Sequence, residues 1–364
     1  MTTAQKLSFD VQLSDHARTA AERERVLASP GFGQAFTDHM ISIDYTEGRG
    51  WHDARLTPYG PLSLDPATSV FHYAQELFEG LKAYRQESGA IVSFRPHANA
   101  ARFNTSARRM AMPELPEDVF VESLELLVQT DREWVPTTSG HSLYLRPFMI
   151  ATQAALGVNY PSKNYKYMVI ASPAAAYFGA GKAVSVWLST EYTRAAPGGT
   201  GFAKCGGNYA AAFVAQRQAV EQGCDQVVWL DANEHRYVEE MGGMNLFFVY
   251  GDRLLTPALT GTLLPGITRD SILTLAADLG LKAEEGRLSI EEWQAGCESG
   301  ELTEVFACGT AAVVTPVGAV KGADRSWTVG TGTQGPVTQR IREELTGIQY
   351  GTRPDPHNWV HKIC

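Results

Sequence analysis

Residues 202–213 read FAKCGGNYAAAF, and the reading of this stretch decides the fold of the chain. One lysine, Lys204, stands among glycines, a thiol and an alanine-rich run, with Arg194 and Arg217 as its nearest charged neighbours in sequence. AVSVWLST (183–190) before it alternates like a strand, and the glycine-rich loop APGGTGFAKCGG follows. Asn208 to Gln222 reads as a helix with Gly223 as its C-terminal cap. The small residues leave room for another molecule to approach the backbone. The absence of local carboxylates predicts an amine without a partner, whose pKa desolvation lowers. A neutral amine is a nucleophile that forms Schiff bases. A solvated loop lysine is the plain alternative. GTGFAKCGG has neither the Gly-Lys-Ser/Thr ending of a phosphate loop nor the third glycine of GxGxxG.

Both halves around this loop are mixed α/β. HMISIDY (39–45), AIVSF (90–94), SLYLRPFM (142–149) and KYMVIAS (166–172) read as strands, and the third puts Tyr144 and Arg146 on one face. Pro96 opens a helix, and PEDVFVESLELLVQ (116–129) has the three-four spacing of an amphipathic one. PAAAYFGAGKA (173–183), rich in Ala and Gly, marks a boundary. The expected organisation is a smaller N-terminal domain over 1–175, a connection over 176–184 and a larger domain over 185–364. Within the latter, QVVWLD (226–231) is a strand, MNLFFVYGDRLLTP (244–257) a hairpin, and Ser289 with Glu292 a capping box. A helix follows LLPGITRD, two strands flank a Gly-Thr turn after TEVFACGT, and a last helix starts near Val337.

A chain of 364 residues with 44% hydrophobic and 20% charged residues has ample material for two cores. A net charge of −9 and no run of Lys or Arg argue against nucleic acid or an anionic membrane as partner. No apolar stretch is long enough to cross a bilayer, and MTTAQKLSFD has no secretory signal, so a cytoplasmic location is expected. Five scattered cysteines read as reduced thiols, and neither they nor the nine histidines show metal-ligand spacing.

A Schiff-base cofactor such as pyridoxal phosphate needs an anion site for its phosphate and an acid that keeps its ring nitrogen protonated. Gly266 allows a tight turn before the amides of Ile267 and Thr268 at a helix N-terminus, where an anion is favoured, although GIT is also a plain helix start. Thr310 in CGTAA offers a hydroxyl and Arg102 a full positive charge, although a helical arginine usually faces solvent. Glu239 and Glu240 are adjacent on an extended segment, so one is expected in solvent and the other turned inward.

FTDHM, HYAQELFEGLKAY, FRPHANAAR, LYLRP, GGTGFAKCGGNYAAA, EEMGGMN, LPGIT, CGTAA and GIQYG together resemble the branched-chain amino acid aminotransferases, fold-type IV pyridoxal phosphate enzymes. The motifs run in family order from Phe36 to Gly351. The resemblance implies that Lys204 carries the cofactor, Tyr209 hydrogen-bonds its phenolic oxygen and Glu240 faces its pyridine nitrogen. Arg102, the Ile267 and Thr268 amides and Thr310 would hold the phosphate, with Arg194 near the cofactor. Phe32, Tyr73, Tyr144, Arg146, Gly243 and Ala311 would line the substrate pocket. It further implies a homodimer that moves amino groups between leucine, isoleucine or valine and 2-oxoglutarate. Lys82 takes no catalytic role, since Glu79 and Arg85 make it read as charged surface. The CxxC pair of some members is absent, Ala312 and Thr315 standing there. A D-amino acid aminotransferase, an aminodeoxychorismate lyase and a non-catalytic ligand-binding protein are the alternatives.

Overall fold

The computed structural model describes residues 7–175 and 181–364, so part of the expected 176–184 connection, residues 176–180, lies outside the described residues. The chain divides into two compact units, Met1–Ala175 with Gln349–Cys364, and Ala176–Ile348.

In the first unit, alternating sequence becomes an antiparallel sheet with one buried face. Its strands are β1 (Asp10–Val11), β2 (His39–Thr46), β3 (Gly50–Pro58), β4 (Glu76–Phe78), β5 (Leu81–Arg85), β6 (Ile91–Phe94), β7 (Ser142–Ala151) and β8 (Asn164–Ala174). They run in the order β1-β3-β2-β8-β7-β5-β6, with β4 beside β7 and only β1–β3 parallel. The helices are α1 (Ala20–Ala28), α2 (Ser69–Tyr73), α3 (Pro96–Arg109) and α4 (Glu117–Thr130). Pro96 supplies the fixed φ that a first helical residue needs, and α4 buries Val119, Phe120, Leu124, Leu127 and Val128, the stripe its spacing predicts. That stripe packs with Phe103, Tyr167, Leu143 and Leu145 into one core. Tyr144 and Arg146 face the opposite side of β7 from the fully buried Leu143 and Leu145.

The second unit is built on β9 (Val184–Ser189), β10 (Gln226–Leu230), β11 (Val238–Met241), β12 (Met244–Tyr250), β13 (Arg253–Pro257), β14 (Lys282–Gly286), β15 (Glu304–Gly309), β16 (Val313–Lys321) and β17 (Ser326–Thr328). The path β11-β10-β9-β16-β15-β12 closes on itself through a further β11–β12 pairing, so these strands form a ring. Apolar residues from every strand of the ring fill the core, including Val186, Val228, Met241, Leu246, Ala307 and Val317. Around it lie α5 (Gly207–Ala210), α6 (Phe213–Glu221), α7 (Ile267–Asp278), α8 (Ile290–Ser299) and α9 (Pro336–Tyr350). The expected single helix from Asn208 to Gln222 is two, separated by Ala211 and Ala212, although both residues keep helical φ and ψ. Gly223 ends the second at φ +70°. The capping box of Ser289 and Glu292 is present, both hydrogen bonds formed.

The expected domain assignment of the C-terminus and the expected sizes need correction. Residues 349–364 belong to the first unit, because β18 (Val360–Lys362) adds antiparallel to β6 and satisfies that strand's open edge. The first unit is therefore slightly the longer of the two, not the smaller.

Candidate active site

Lys204 sits on a loop whose backbone is tied down from within. Buried Asn208, at the start of α5, donates through Nδ2 to the carbonyls of Thr200 (2.9 Å) and Ala203 (2.8 Å) and accepts from Thr200 Oγ1 at 2.7 Å. Gly201 passes so close to the Thr262 carbonyl that any Cβ would collide with it. On this fixed loop Lys204 Nζ donates to the Tyr209 hydroxyl at 2.9 Å and lies 5.4 Å from that ring's centroid. The expectation of an amine without a partner is thus overturned. The first turn of α5 brings Tyr209 back to the lysine that precedes it by five residues.

Gly242 and Gly243 form a two-residue turn between β11 and β12, with Gly242 at φ +57°. That turn sets Glu240 directly opposite Asn245 and lays Gly243 against the Tyr209 ring, where an added Cβ would be 3.4 Å from Cε1. Glu240 is 1% exposed. Its Oε1 accepts from the Leu264 amide (2.7 Å) and Asn245 Nδ2 (3.3 Å), while Oε2 lies 3.1 Å from Arg194 Nε. Despite that ion pair, Oε2 takes no hydrogen bond among the described groups. Burial pushes the Glu240 pKa up, and Arg194, the Leu264 amide and Lys204 pull it back. Arg194 is itself buried and donates through Nη1 to the carbonyls of Thr262 (2.7 Å) and Gly201 (3.2 Å). Glu239 does not point into solvent as its alternation with Glu240 suggests. It is 6% exposed, because the Thr262 hydroxyl turns in to meet its Oε1 at 2.5 Å.

α7 begins at Gly266, whose φ of −69° and ψ of 130° leave the Ile267 and Thr268 amides without a side-chain cap. A Cβ on Gly266 would strike Asn245 Oδ1. Asn245 also donates to the Leu264 carbonyl at 3.1 Å, so one buried amide links the Glu240 carboxylate to the start of the helix. Cys308 pairs with Asn245 across β15 and β12, which puts the turn carrying Thr310 and Ala311 beside the Gly242–Gly243 turn. That turn closes on Val313 at φ +60°, a left-handed conformation costly for a β-branched residue.

The first unit holds the remaining candidates. Arg102 is buried on α3 rather than directed to solvent, and grips Glu79 with both arms, Nε to Oε1 at 2.7 Å and Nη2 to Oε2 at 2.9 Å. Asn99 Nδ2 and the Gly80 amide also donate to Glu79 Oε2. Lys82 is not surface either. It is 6% exposed on β5, directly opposite Tyr144, and burial pushes its amine down to about 8. Arg146 Nη2 donates to the Tyr144 hydroxyl at 3.0 Å, and its guanidinium lies 4.7 Å from the Phe78 ring centroid. Phe32 packs edge-on to Tyr144 at 4.9 Å. Tyr73, at the end of α2, is 42% exposed.

Within the second unit the structure therefore brings together Lys204, Tyr209 and Gly243, and joins Arg194, Glu240, Ile267 and Thr268 through Asn245 and Thr262. Within the first it brings together Phe32, Tyr144 and Arg146. Sequence reasoning missed Asn208, Asn245, Thr262 and Glu79. Asn245 had a signal, a lone amide opening the apolar run NLFFVY. Glu79 had none, since its burial depends on Arg102 from a distant helix.

Pyridoxal phosphate fits these groups. It needs an amine, an acid with an oxygen left to accept a hydrogen bond and a helix N-terminus, and Lys204, Glu240 Oε2 and the start of α7 supply them. No group of three or more His, Cys, Asp or Glu able to hold a metal ion occurs among the described residues.

Such a set of groups on this mixed α/β fold is that of an aminotransferase, and the chain belongs to the amino-transferase class IV family, whose model matches residues 76–320. It is 60% identical over 363 residues to the branched-chain-amino-acid aminotransferase of Mycolicibacterium smegmatis, covering 98% of both chains. It is 58% identical over 359 residues to the probable branched-chain-amino-acid aminotransferase of Streptomyces coelicolor, covering 98% of this chain and 99% of that one. Among solved structures it resembles the Escherichia coli branched-chain amino acid aminotransferase, with TM-score 0.73 and 30% identity over 89% of this chain and 100% of that one. A second solved branched-chain amino acid aminotransferase, that of T.th. with pyridoxamine 5'-phosphate, matches with TM-score 0.73, 30% identity and coverage of 89% and 99%.

Proposed function

We propose that the protein is a branched-chain amino acid transaminase that uses pyridoxal phosphate to move an amino group reversibly between leucine, isoleucine or valine and 2-oxoglutarate. The observation that carries the reading is Glu240 Oε2, a buried carboxylate oxygen that accepts no hydrogen bond among the described groups, in the same unit as an amine held by a tyrosine.

When bound, pyridoxal phosphate supplies an aldehyde carbon that condenses with amines and a protonated ring that accepts the electron pair left at the substrate Cα. Lys204 Nζ would hold that group covalently and, once free, would serve as the base for the substrate Cα proton. The Tyr209 hydroxyl keeps Nζ in place and carries a hydrogen bond for the phenolic oxygen. Glu240 Oε2 would accept from the ring nitrogen, and the Arg194 charge beside it opposes the effect of burial on its pKa. The Ile267 and Thr268 amides and Thr310 would take the phosphate, whereas Arg102, its guanidinium held by Glu79, belongs to the other unit. Phe32, Tyr73 and Tyr144 are the first unit's candidates for apolar surface to the substrate side chain, and Gly243 and Ala311 the second unit's candidates for its carboxylate. Arg146 Nε, buried without a hydrogen-bond partner among the described groups, provides a cation for the second carboxylate of 2-oxoglutarate.

The similarity to branched-chain-amino-acid aminotransferases over nearly the whole chain favours this reading over a D-amino acid aminotransferase or an aminodeoxychorismate lyase. Side-by-side assays with L-leucine, D-alanine and aminodeoxychorismate test it, and activity with L-leucine alone is expected. Borohydride reduction followed by peptide mapping should label Lys204; a label on another lysine would falsify the assignment.

The protein is further read as a cytoplasmic homodimer. No helix among the described residues is long and apolar enough to cross a membrane. Each unit exposes apolar side chains of the kind a partner covers: Phe71, Leu156 and Val158 on the first, Phe213, Val214 and Val220 on the second. Light scattering of the purified protein should give twice the chain mass.

A further inference from the structure

Two carboxylates, Glu239 and Glu240, are adjacent on β11, and both are buried. Arg194 is the cation paired with Glu240, and the charges of Lys204 and Arg269 act on Glu240 as well. Among the described groups Glu239 makes no ion pair, so as an anion it would be a buried charge without a paired cation, which is far costlier than one matched pair. A single proton shared with this pair removes that cost, and the donors around each residue say where it sits. Glu240 Oε1 has the Leu264 and Asn245 amides, and its Oε2, which accepts no hydrogen bond among the described groups, lies against the Arg194 charge. Glu239 has one neutral donor, Thr262 Oγ1 on Oε1, and its Oε2 is buried with no hydrogen-bond partner among the described groups. An oxygen with neither a hydrogen bond nor a paired cation is where a proton costs least.

The hydroxyl that meets Glu239 leads outward. Thr262 Oγ1 is 2.8 Å from Thr260 Oγ1, and Thr260 is exposed, so an unbroken line of hydroxyls runs from the surface to the buried acid. The same Thr262 gives its carbonyl to Arg194 Nη1 at 2.7 Å. Glu239 thus holds the residue that holds the partner of Glu240.

We propose that Glu239 is a positioning residue standing as a neutral carboxylic acid at the inner end of the chain Thr260–Thr262–Glu239, which leaves Glu240 the single anion opposite Arg194. Of the charged groups acting on Glu239, two raise its pKa and one lowers it. Burial is the largest influence and raises its pKa, and the charges of Glu240 and Asp231 raise it further. The Thr262 hydroxyl and, more weakly, Arg194 oppose them. The use made of Glu240 rests on the proposed cofactor reading; the proton on Glu239 does not.

The test is infrared spectroscopy of the full-length protein as purified, with Glu239→Gln and Glu240→Gln beside it. A carboxylic-acid C=O band at neutral pH is expected in the native protein. It should vanish in Glu239→Gln and survive in Glu240→Gln, whereas a side chain that merely fills space gives no such band. Because Gln mimics the neutral acid, Glu239→Gln should keep the pyridoxal phosphate Kd within about threefold of native. Absence of the band, its loss in Glu240→Gln instead, or a larger loss of affinity overturns the proposal. Should Glu239→Gln fail to fold, Thr262→Val decides. Removing the one donor to the charged form should carry the band to higher pH. A band that titrates as in the native protein overturns it. A borohydride label on another lysine would end the cofactor reading without touching this result.

Discussion

Arg194 Nε lies 3.1 Å from Glu240 Oε2, with both side chains almost wholly buried. A buried pair of this kind stabilises little against two apolar residues, but removal of one member leaves the other charge stranded. Arg194→Met should therefore destabilise the cofactor-free protein by about 3–5 kcal/mol at neutral pH. Since the stranded Glu240 can take a proton, the penalty should shrink as pH falls. Urea midpoints for the two proteins across a pH series check both statements, and equal midpoints would remove Arg194 as the partner.

Lys204 and Tyr209 make a second pair with separable roles. Lys204→Ala keeps Asn208 and its ties to the loop, so the fold should survive while turnover is lost and borohydride fixes no cofactor. Tyr209→Phe removes the acceptor 2.9 Å from Nζ but not the amine. Trapping should persist, and kcat should fall by about tenfold, the worth of one neutral hydrogen bond. Loss of trapping in Tyr209→Phe would show that the tyrosine does more than place the amine.

How far these parts could be read from sequence depends on how local their causes are. Pro96, the stripe of α4 and the Ser289–Glu292 box are decided within one turn or one face, and the structure has them where the sequence puts them. The partners of charged groups are decided by the fold. Glu79 and Lys82 look like surface among charged neighbours, yet the antiparallel pairing of β5 with β7 and the packing of α3 bury both. Glu239 reads as the solvated half of an alternating pair until Thr262, from a loop far along the chain, turns toward it. The C-terminal strand is the same lesson at larger scale: nothing in VHK names β6 as its partner.

Lys82 gives the first unit a pH signature. Burial holds its amine at about 8 against an ordinary 10.5, so between those values the unfolded chain binds more protons than the folded one. Stability should therefore rise with pH from about 8 to 10.5. Below that window both states are protonated and the burial cost, about 3 kcal/mol, is fully present. Lys82→Met should flatten the rise and make the cofactor-free protein more stable at neutral pH. Urea midpoints measured below and above the window decide it, and a native protein that loses stability over that range would contradict the assignment.

Gly266 and Asn245 offer the sharpest test of how the helix start is tied to the acid. A methyl group on Gly266 must displace Asn245 Oδ1, and with it the Nδ2 contacts to Glu240 and to the Leu264 carbonyl. Gly266→Ala should cost about 1–3 kcal/mol of stability, as overpacking in a close-fitted core does, and weaken cofactor binding. Asn245→Ala alone removes those hydrogen bonds without a clash. In the double variant the methyl enters space that the amide has left, so its loss should be smaller than the sum of the single losses. Residues in contact show such coupling at about 0.5–3 kcal/mol, whereas independent sites add. Additive losses in a double-mutant cycle, read by denaturant unfolding of the cofactor-free protein, would mean that Asn245 does not link α7 to Glu240.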